Sequence, residues 1–164
     1  QRIQGFLDTW SDINQAPYQV KQALVTLGAG GTLGVGLGKG WQKLSFLPEA
    51  NTDFVFAVVG EELGLVGTLG LVALWAGLYV TGLTLFRSFP RQSFVYIVGI
   101  TLLTQLVLQA AINMAVVTSM VPNKGIPHPM ISYGGSSLVM TLVSLGIIVG
   151  LSKAKPLEDD VVLA

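Results

Sequence analysis

Three long stretches of this chain carry no Asp, Glu, Lys or Arg: 24 positions between Glu62 and Arg87, 32 between Arg91 and Lys124, and 28 between Lys124 and Lys153, with only His128 in the last. A helix rises about 1.5 Å per residue, so roughly 20 apolar residues cross a hydrocarbon core of about 30 Å. Each stretch exceeds that length. An ordinary soluble domain is about a quarter charged, whereas this chain is 11% charged and 51% hydrophobic. The fold class expected is all-α and polytopic, with three membrane-spanning helices at about 54–86, 93–121 and 136–151.

The same distribution excludes other classes. Nine basic residues balance nine acidic ones, and the basic clusters do not exceed the pairs Arg87/Arg91 and Lys153/Lys155. Nucleic-acid binding, which needs a basic footprint, is not expected. The chain has no cysteine, so disulfides, thiol catalysis and thiolate metal sites are absent. Residues 1–53 show no basic start before an apolar core, so no signal peptide is expected within them; a chain opening on Gln in a polar loop reads as a piece of something longer.

Residues 1–53 hold eight of the eighteen charges and a glycine series from Gly28 to Gly40. Within them Tyr18 to Leu27 has a helical apolar period, a short amphipathic helix that either packs on other helices or lies in the interface. The glycines Gly34, Gly36, Gly38 and Gly40 do not make a nucleotide fingerprint, because no strand precedes them and no helix follows before Pro48. Thr52 and Asp53 are good N-cap residues for the first span, and Arg87, Ser88 and Pro90 stop it. Thirty-three helical residues would measure about 50 Å, so Glu61 and Glu62 must protrude from the hydrocarbon or be buried against protein. Gly60, Gly64, Gly67 and Gly70 permit close helix packing.

On the second span Gln105, Gln109 and Asn113 recur every four residues and form one polar stripe, either for interhelical hydrogen bonding or for substrate contact. Pro127, Pro129, Gly134 and Gly135 confine the third span to the second half of its uncharged run. Arg87 and Arg91 in one loop, and Lys153 and Lys155 in the tail 153–164, place both in the cytoplasm, with residues 1–53 and the loop 122–135 outside. Asp53, Glu49, Lys43 and Lys39 then share the outer face with Lys124, His128 and the turn Ser132, Tyr133, Gly134, Gly135, Ser136, Ser137. Asp53 reads as a helix cap or as a carboxylate that accepts a proton. The turn reads as a plain helix start or as a phosphate site at a helix N-terminus. His128, without neighbouring carboxylates, makes no metal motif.

Two stretches, Gln42 to Gly67 (QKLSFLPEANTDFVFAVVGEELGLVG) and Pro122 to Leu138 (PNKGIPHPMISYGGSSL), closely resemble the SEDS family of bacterial shape, elongation, division and sporulation proteins, typified by FtsW, RodA and SpoVE. FLDTWSDINQAPYQ also looks like the loop that precedes these motifs. The resemblance implies the large extracytoplasmic loop and last three of about ten membrane helices in the bacterial cytoplasmic membrane. It further implies a peptidoglycan glycosyltransferase that polymerises lipid II with inversion, releases undecaprenyl diphosphate, and works with a class B penicillin-binding protein in the divisome or elongasome.

The family's essential carboxylate, in its Pro-Glu-x-x-Thr-Asp-Phe motif, falls on Asp53. Lys43, Lys39, Glu49, Lys124 and residues 132–136 are then the substrate and diphosphate candidates. A divalent cation, Mg or Mn, is compatible, but no ligand cluster identifies one. Gln42-Lys43-Leu44 leans toward the FtsW-like branch. The departures are Asn51 where histidine is usual, and His128 and Met130 where leucine and phenylalanine are usual. A lipid-linked precursor transporter, with the polar stripe lining its path, and a non-catalytic scaffold are the alternatives. Without the family's other helices the fragment is expected to be inactive.

Overall fold

The computed structural model describes residues 17–40, 52–122 and 125–153. Four helices follow one another: α1 (Tyr18–Ala29), α2 (Val55–Phe86), α3 (Phe94–Val117) and α4 (Gly135–Ser152), and no strand occurs among the described residues. The last three are long and apolar enough to cross a membrane. α2 packs on α3 and α3 on α4, while α1 lies against α2, so the spans stand in a row with α3 in the middle. The seams are close because glycines face large side chains: a Cβ on Gly82 would lie 2.4 Å from Leu103, and one on Gly99 would lie 2.3 Å from the Phe86 ring. Lipid tails are as apolar as leucine, so helices associate in a membrane through such close packing.

α2 is not one straight rod. Gly64 has φ 66° and ψ −161° inside it, a conformation open in practice only to glycine. The axis turns sharply there, and a Cβ on Gly60 would come within 3.4 Å of Thr68 Cγ2, although eight residues of straight helix would separate them by about 12 Å. The run that reads in the sequence as a single helix of about 50 Å is therefore divided. Leu65 to Phe86 alone measures about 33 Å, sufficient to span.

Breaking a helix frees carbonyls on one side and amides on the other, and the glycine-rich loop after α1 takes up two of each. Val35 N–H donates to Glu61 O (2.9 Å) and Gly36 N–H to Glu62 O (3.0 Å), while Leu65 N–H donates to Gly31 O (3.0 Å) and Val66 N–H to Thr32 O (3.2 Å). The loop approaches so closely that a Cβ on Gly30 would meet Gly60 O at 1.9 Å and one on Gly34 would meet Glu62 O at 2.2 Å. The glycine series thus serves as a backbone clamp on α2. Glu61 is buried beside it, its Oε2 2.8 Å from where a Cβ on Gly40 would stand.

The ends of the helices also differ in detail from the sequence reading. Phe54, not Asp53, holds the cap position of α2, and its side chain makes no cap hydrogen bond. α3 begins as expected, with Ser93 Oγ accepting from Tyr96 N–H at 3.2 Å, but it stops at Val117 instead of running to 121. Ser119 there adopts φ 58°, with Ser119 N–H bonded to Val116 O and Met120 N–H to Ala115 O. This is the Schellman arrangement, made without the usual glycine.

Substituting Gly64→Ala places a side chain at a forbidden φ and against Gly34 N, 2.4 Å away. It is expected to destabilise the detergent-solubilised protein by about 2 kcal/mol or more. Gly70→Ala, with nothing within 4 Å, is expected to be neutral or stabilising by up to about 1 kcal/mol. Thermal melting of the two variants checks the contrast.

Candidate active site at Asp53 and the inturned loop

After α3 the chain does not stay at the surface. Residues 125–132 turn back into the bundle, and the polar stripe on α3 receives them. Gln109 Nε2 donates to Pro127 O at 3.0 Å, and Asn113 Nδ2 donates to Ile126 O at 2.7 Å. Gln109 lies eight residues, or about 12 Å, from the end of α3, which measures how far the loop descends along that helix. Pro127 and Pro129 suit such a path, because an extended prolyl segment has fewer N–H groups to satisfy. His128 and Pro129 at its tip are fully buried, with the imidazole edge-on to Trp75 of α2, centroids 5.5 Å apart.

The same loop fixes the start of α2. Asn113 Nδ2 donates a second bond, to Asp53 O at 2.8 Å. Ser132 Oγ donates to Thr52 O and accepts from His128 N–H at 2.7 Å, while Ser132 N–H bonds His128 O at 3.1 Å. Gly125, with φ 60°, faces the aspartate: a Cβ there would lie 3.0 Å from Asp53 Oδ2. Phe54, buried beside it, joins Phe56, Ala57, Val58, Ala23 of α1 and Val117 of α3 in one apolar cluster. Asp53 therefore carries a partly exposed side chain on a backbone held from two sides.

Of the residues singled out by the sequence, the fold brings Asp53, Asn113 and Ser132 into one constellation, with Gln109 anchoring the loop behind them. Tyr133 is 83% exposed, Gly134 is the extended N-cap of α4, and Gly135 and Ser136 open that helix. Glu61 and Glu62 stand at the break in α2. Lys39 is exposed, its N–H turned to Gly36 O at 3.2 Å. Gln105 reaches no loop carbonyl among the described residues; it lines a groove of about 530 Å³ with Thr101, Thr104, Gln109, Ile112 and Ile126. Lys43, Glu49, Asn51 and Lys124 lie outside the described residues. No three carboxylate or imidazole groups converge among the described residues, and Asp53 is the acidic group that the inturned loop faces.

Sequence reasoning did not find Gly125, Thr52 or Trp75 as parts of this arrangement. Gly125 carried the one available signal, a glycine next to the Pro-x-Pro motif.

Comparison with known proteins places the chain. The family of cell cycle proteins FtsW, RodA and SpoVE matches residues 1–156. The chain belongs to this family. A protein of Marinobacter nauticus, named probable peptidoglycan glycosyltransferase FtsW, is 45% identical over 90% of this chain and 37% of its own length. Relatives of the same name from Geobacter metallireducens and Legionella pneumophila are 42% and 41% identical, over 92% and 90% of this chain and 40% and 38% of their own lengths. The chain thus spans about two fifths of the length of these FtsW proteins. The family agrees with the resemblance carried by the Thr-Asp-Phe and Ser-Tyr-Gly-Gly-Ser-Ser motifs.

His128 supplies a pH signature. Its Nδ1 lies 3.0 Å from Pro129 O, which fixes the proton on Nδ1, and Nε2 is buried without a partner. Burial lowers its pKa below the ordinary 6.5, outweighing the hydrogen bond to the Pro129 carbonyl, which acts to raise it. Because the folded-state pKa is depressed, the neutral ring's contribution to stability is complete above pH 6.5 and is lost as pH falls toward the folded-state value. The melting temperature is expected to drop on acidification below neutrality, and His128→Leu is expected to flatten that part of the profile.

Proposed function

We propose that the full-length protein containing this chain is a peptidoglycan glycosyltransferase of the FtsW type, polymerising lipid II at the outer face of the bacterial cytoplasmic membrane. The observation that carries the reading is Asp53. Its carboxylate stands at the start of a broken membrane helix, on a backbone whose carbonyl and that of Thr52 are both held by hydrogen bonds from elsewhere in the fold. A carboxylate so held suits general-base work, which requires a fixed position within hydrogen-bond reach of the proton to be moved.

In this reading Asp53 takes the proton from the 4-hydroxyl of the acceptor sugar as that oxygen attacks the anomeric carbon of the donor. The bond from that carbon to undecaprenyl diphosphate breaks with inversion. The diphosphate takes the negative charge, and Lys39, Lys43, Lys124 and the turn at residues 132–136 are the candidates to stabilise it, electrostatic stabilisation being commonly the largest catalytic term. Glu49 belongs to the same outer segment. Arg87 and Arg91 on the opposite side, with Lys153 and Lys155, support the orientation by the positive-inside tendency. A class B penicillin-binding protein is the partner this reading implies, acting with other cell-division or elongation proteins.

A transport path along Gln105, Gln109 and Asn113 is less well supported, because Gln109 donates to the loop carbonyl of Pro127, and Asn113 to those of Ile126 in the loop and Asp53 ahead of α2. In proteoliposomes supplied with lipid II, Asp53→Asn in the full-length protein is expected to lower polymerisation by about 10²- to 10⁴-fold, with unchanged membrane insertion and melting. Retained turnover in such a folded variant would overturn the reading.

A further inference from the structure

We propose that Asn113 is a positioning residue for Asp53, acting as a two-donor bridge between the aspartate's own carbonyl and the inturned loop. This rests on the role given to Asp53 above. Both amide hydrogens of Asn113 are used, at 2.8 Å to Asp53 O and 2.7 Å to Ile126 O, while its Oδ1 is buried without a partner. That asymmetry fixes the amide's orientation, since the flipped form would set Oδ1 against two carbonyl oxygens. It also identifies what the position demands: two donors on one short, uncharged side chain. Aspartate offers none when ionised, serine offers one, and leucine of similar size offers none.

The bridge bears directly on the carboxylate. Asp53 lies in a three-residue turn, 52–54, ahead of α2. Holding its carbonyl sets the peptide plane, and hence the direction of the Cα–Cβ bond. Ile126 is the neighbour of Gly125, whose missing side chain lets Asp53 Oδ2 approach the loop. One amide therefore ties the base to the wall it faces. α3 supplies the rigid mount, with Asn113 99% buried on it and Gln109 one turn away holding the adjacent carbonyl of Pro127. Catalytic groups are held best by such supports on regular elements, and a misplacement of about 1 Å can cost about 10²-fold in rate.

The test uses the full-length protein in proteoliposomes. Asn113→Leu is expected to lower kcat by roughly 10²-fold with KM changed less than about threefold, and Asn113→Gln, which keeps both donors, is expected to recover at least about tenfold of the loss. A separate readout needs no activity: with Asp53→Cys and Gly125→Cys in a background free of other cysteines, disulfide formation is expected to slow at least about tenfold when Asn113→Leu is added. Should Asn113→Leu fail to insert, Asn113→Ser, with one donor, serves for both measurements and is expected to show the same losses in part.

Unchanged kcat and cross-linking in the Asn113 variants, alongside an inactive Asp53→Asn, would overturn the positioning role and leave the base intact. A rise in KM at constant kcat would overturn it equally. Active Asp53→Asn would instead sink the reading of Asp53, and the cross-linking rate would still decide whether Asn113 holds that segment in place.

Discussion

Every backbone amide and carbonyl that leaves a helix inside a membrane protein needs a partner, because little water is at hand to supply one. The described fold departs from regular helix inside the bundle at two places, Gly64 and residues 125–132, and each departure is matched by donors and acceptors from a distant part of the chain. At Gly64 the freed groups meet the backbone of residues 31–36. At the inturned loop the exposed carbonyls meet the carboxamides of Gln109 and Asn113. Irregular backbone is tolerated because its partners are protein.

The two departures are joined through the start of α2. The turn at Gly64 directs residues 55–63 away from the line of the spanning segment, and α1 packs on this part through Ala23 and Leu27. The loop reaches the same segment through Ser132 to Thr52 and through Asn113, which it shares with Asp53. Asp53 thus sits where three structural units converge: the head of α2, the upper part of α3 and the loop ahead of α4. A carboxylate on a flexible connection would sample many positions. Here the ordering cost is met largely in folding, which is the physical content of preorganisation.

The sequence made some of this legible. Charge-free runs indicated the three spans, since no other structure satisfies so long an apolar backbone in lipid. The four-residue spacing of Gln105, Gln109 and Asn113 marked them as one stripe that had to meet protein or water. Its partner was not legible: a helix neighbour and a loop backbone offer the same carbonyl groups. Gly64 was equally ambiguous, as glycine in an apolar run serves close packing as often as a break. The stop of α3 at Val117 was hidden because Ser119 takes the left-handed conformation that normally betrays itself by glycine.

By itself the amino-acid sequence determined the class of fold, the number of spans in this part of the chain, and, through its motifs, the family and the identity of Asp53 as the residue of interest. Only the tertiary structure decided what holds Asp53. Its bridge to Asn113 joins residues 60 apart, and the Ser132 bond to Thr52 joins residues 80 apart. Periodicity reports which face of a helix a side chain occupies, over a few turns. Which distant carbonyl it meets depends on how the helices cross and where the chain folds back, and that is set by packing over the whole bundle.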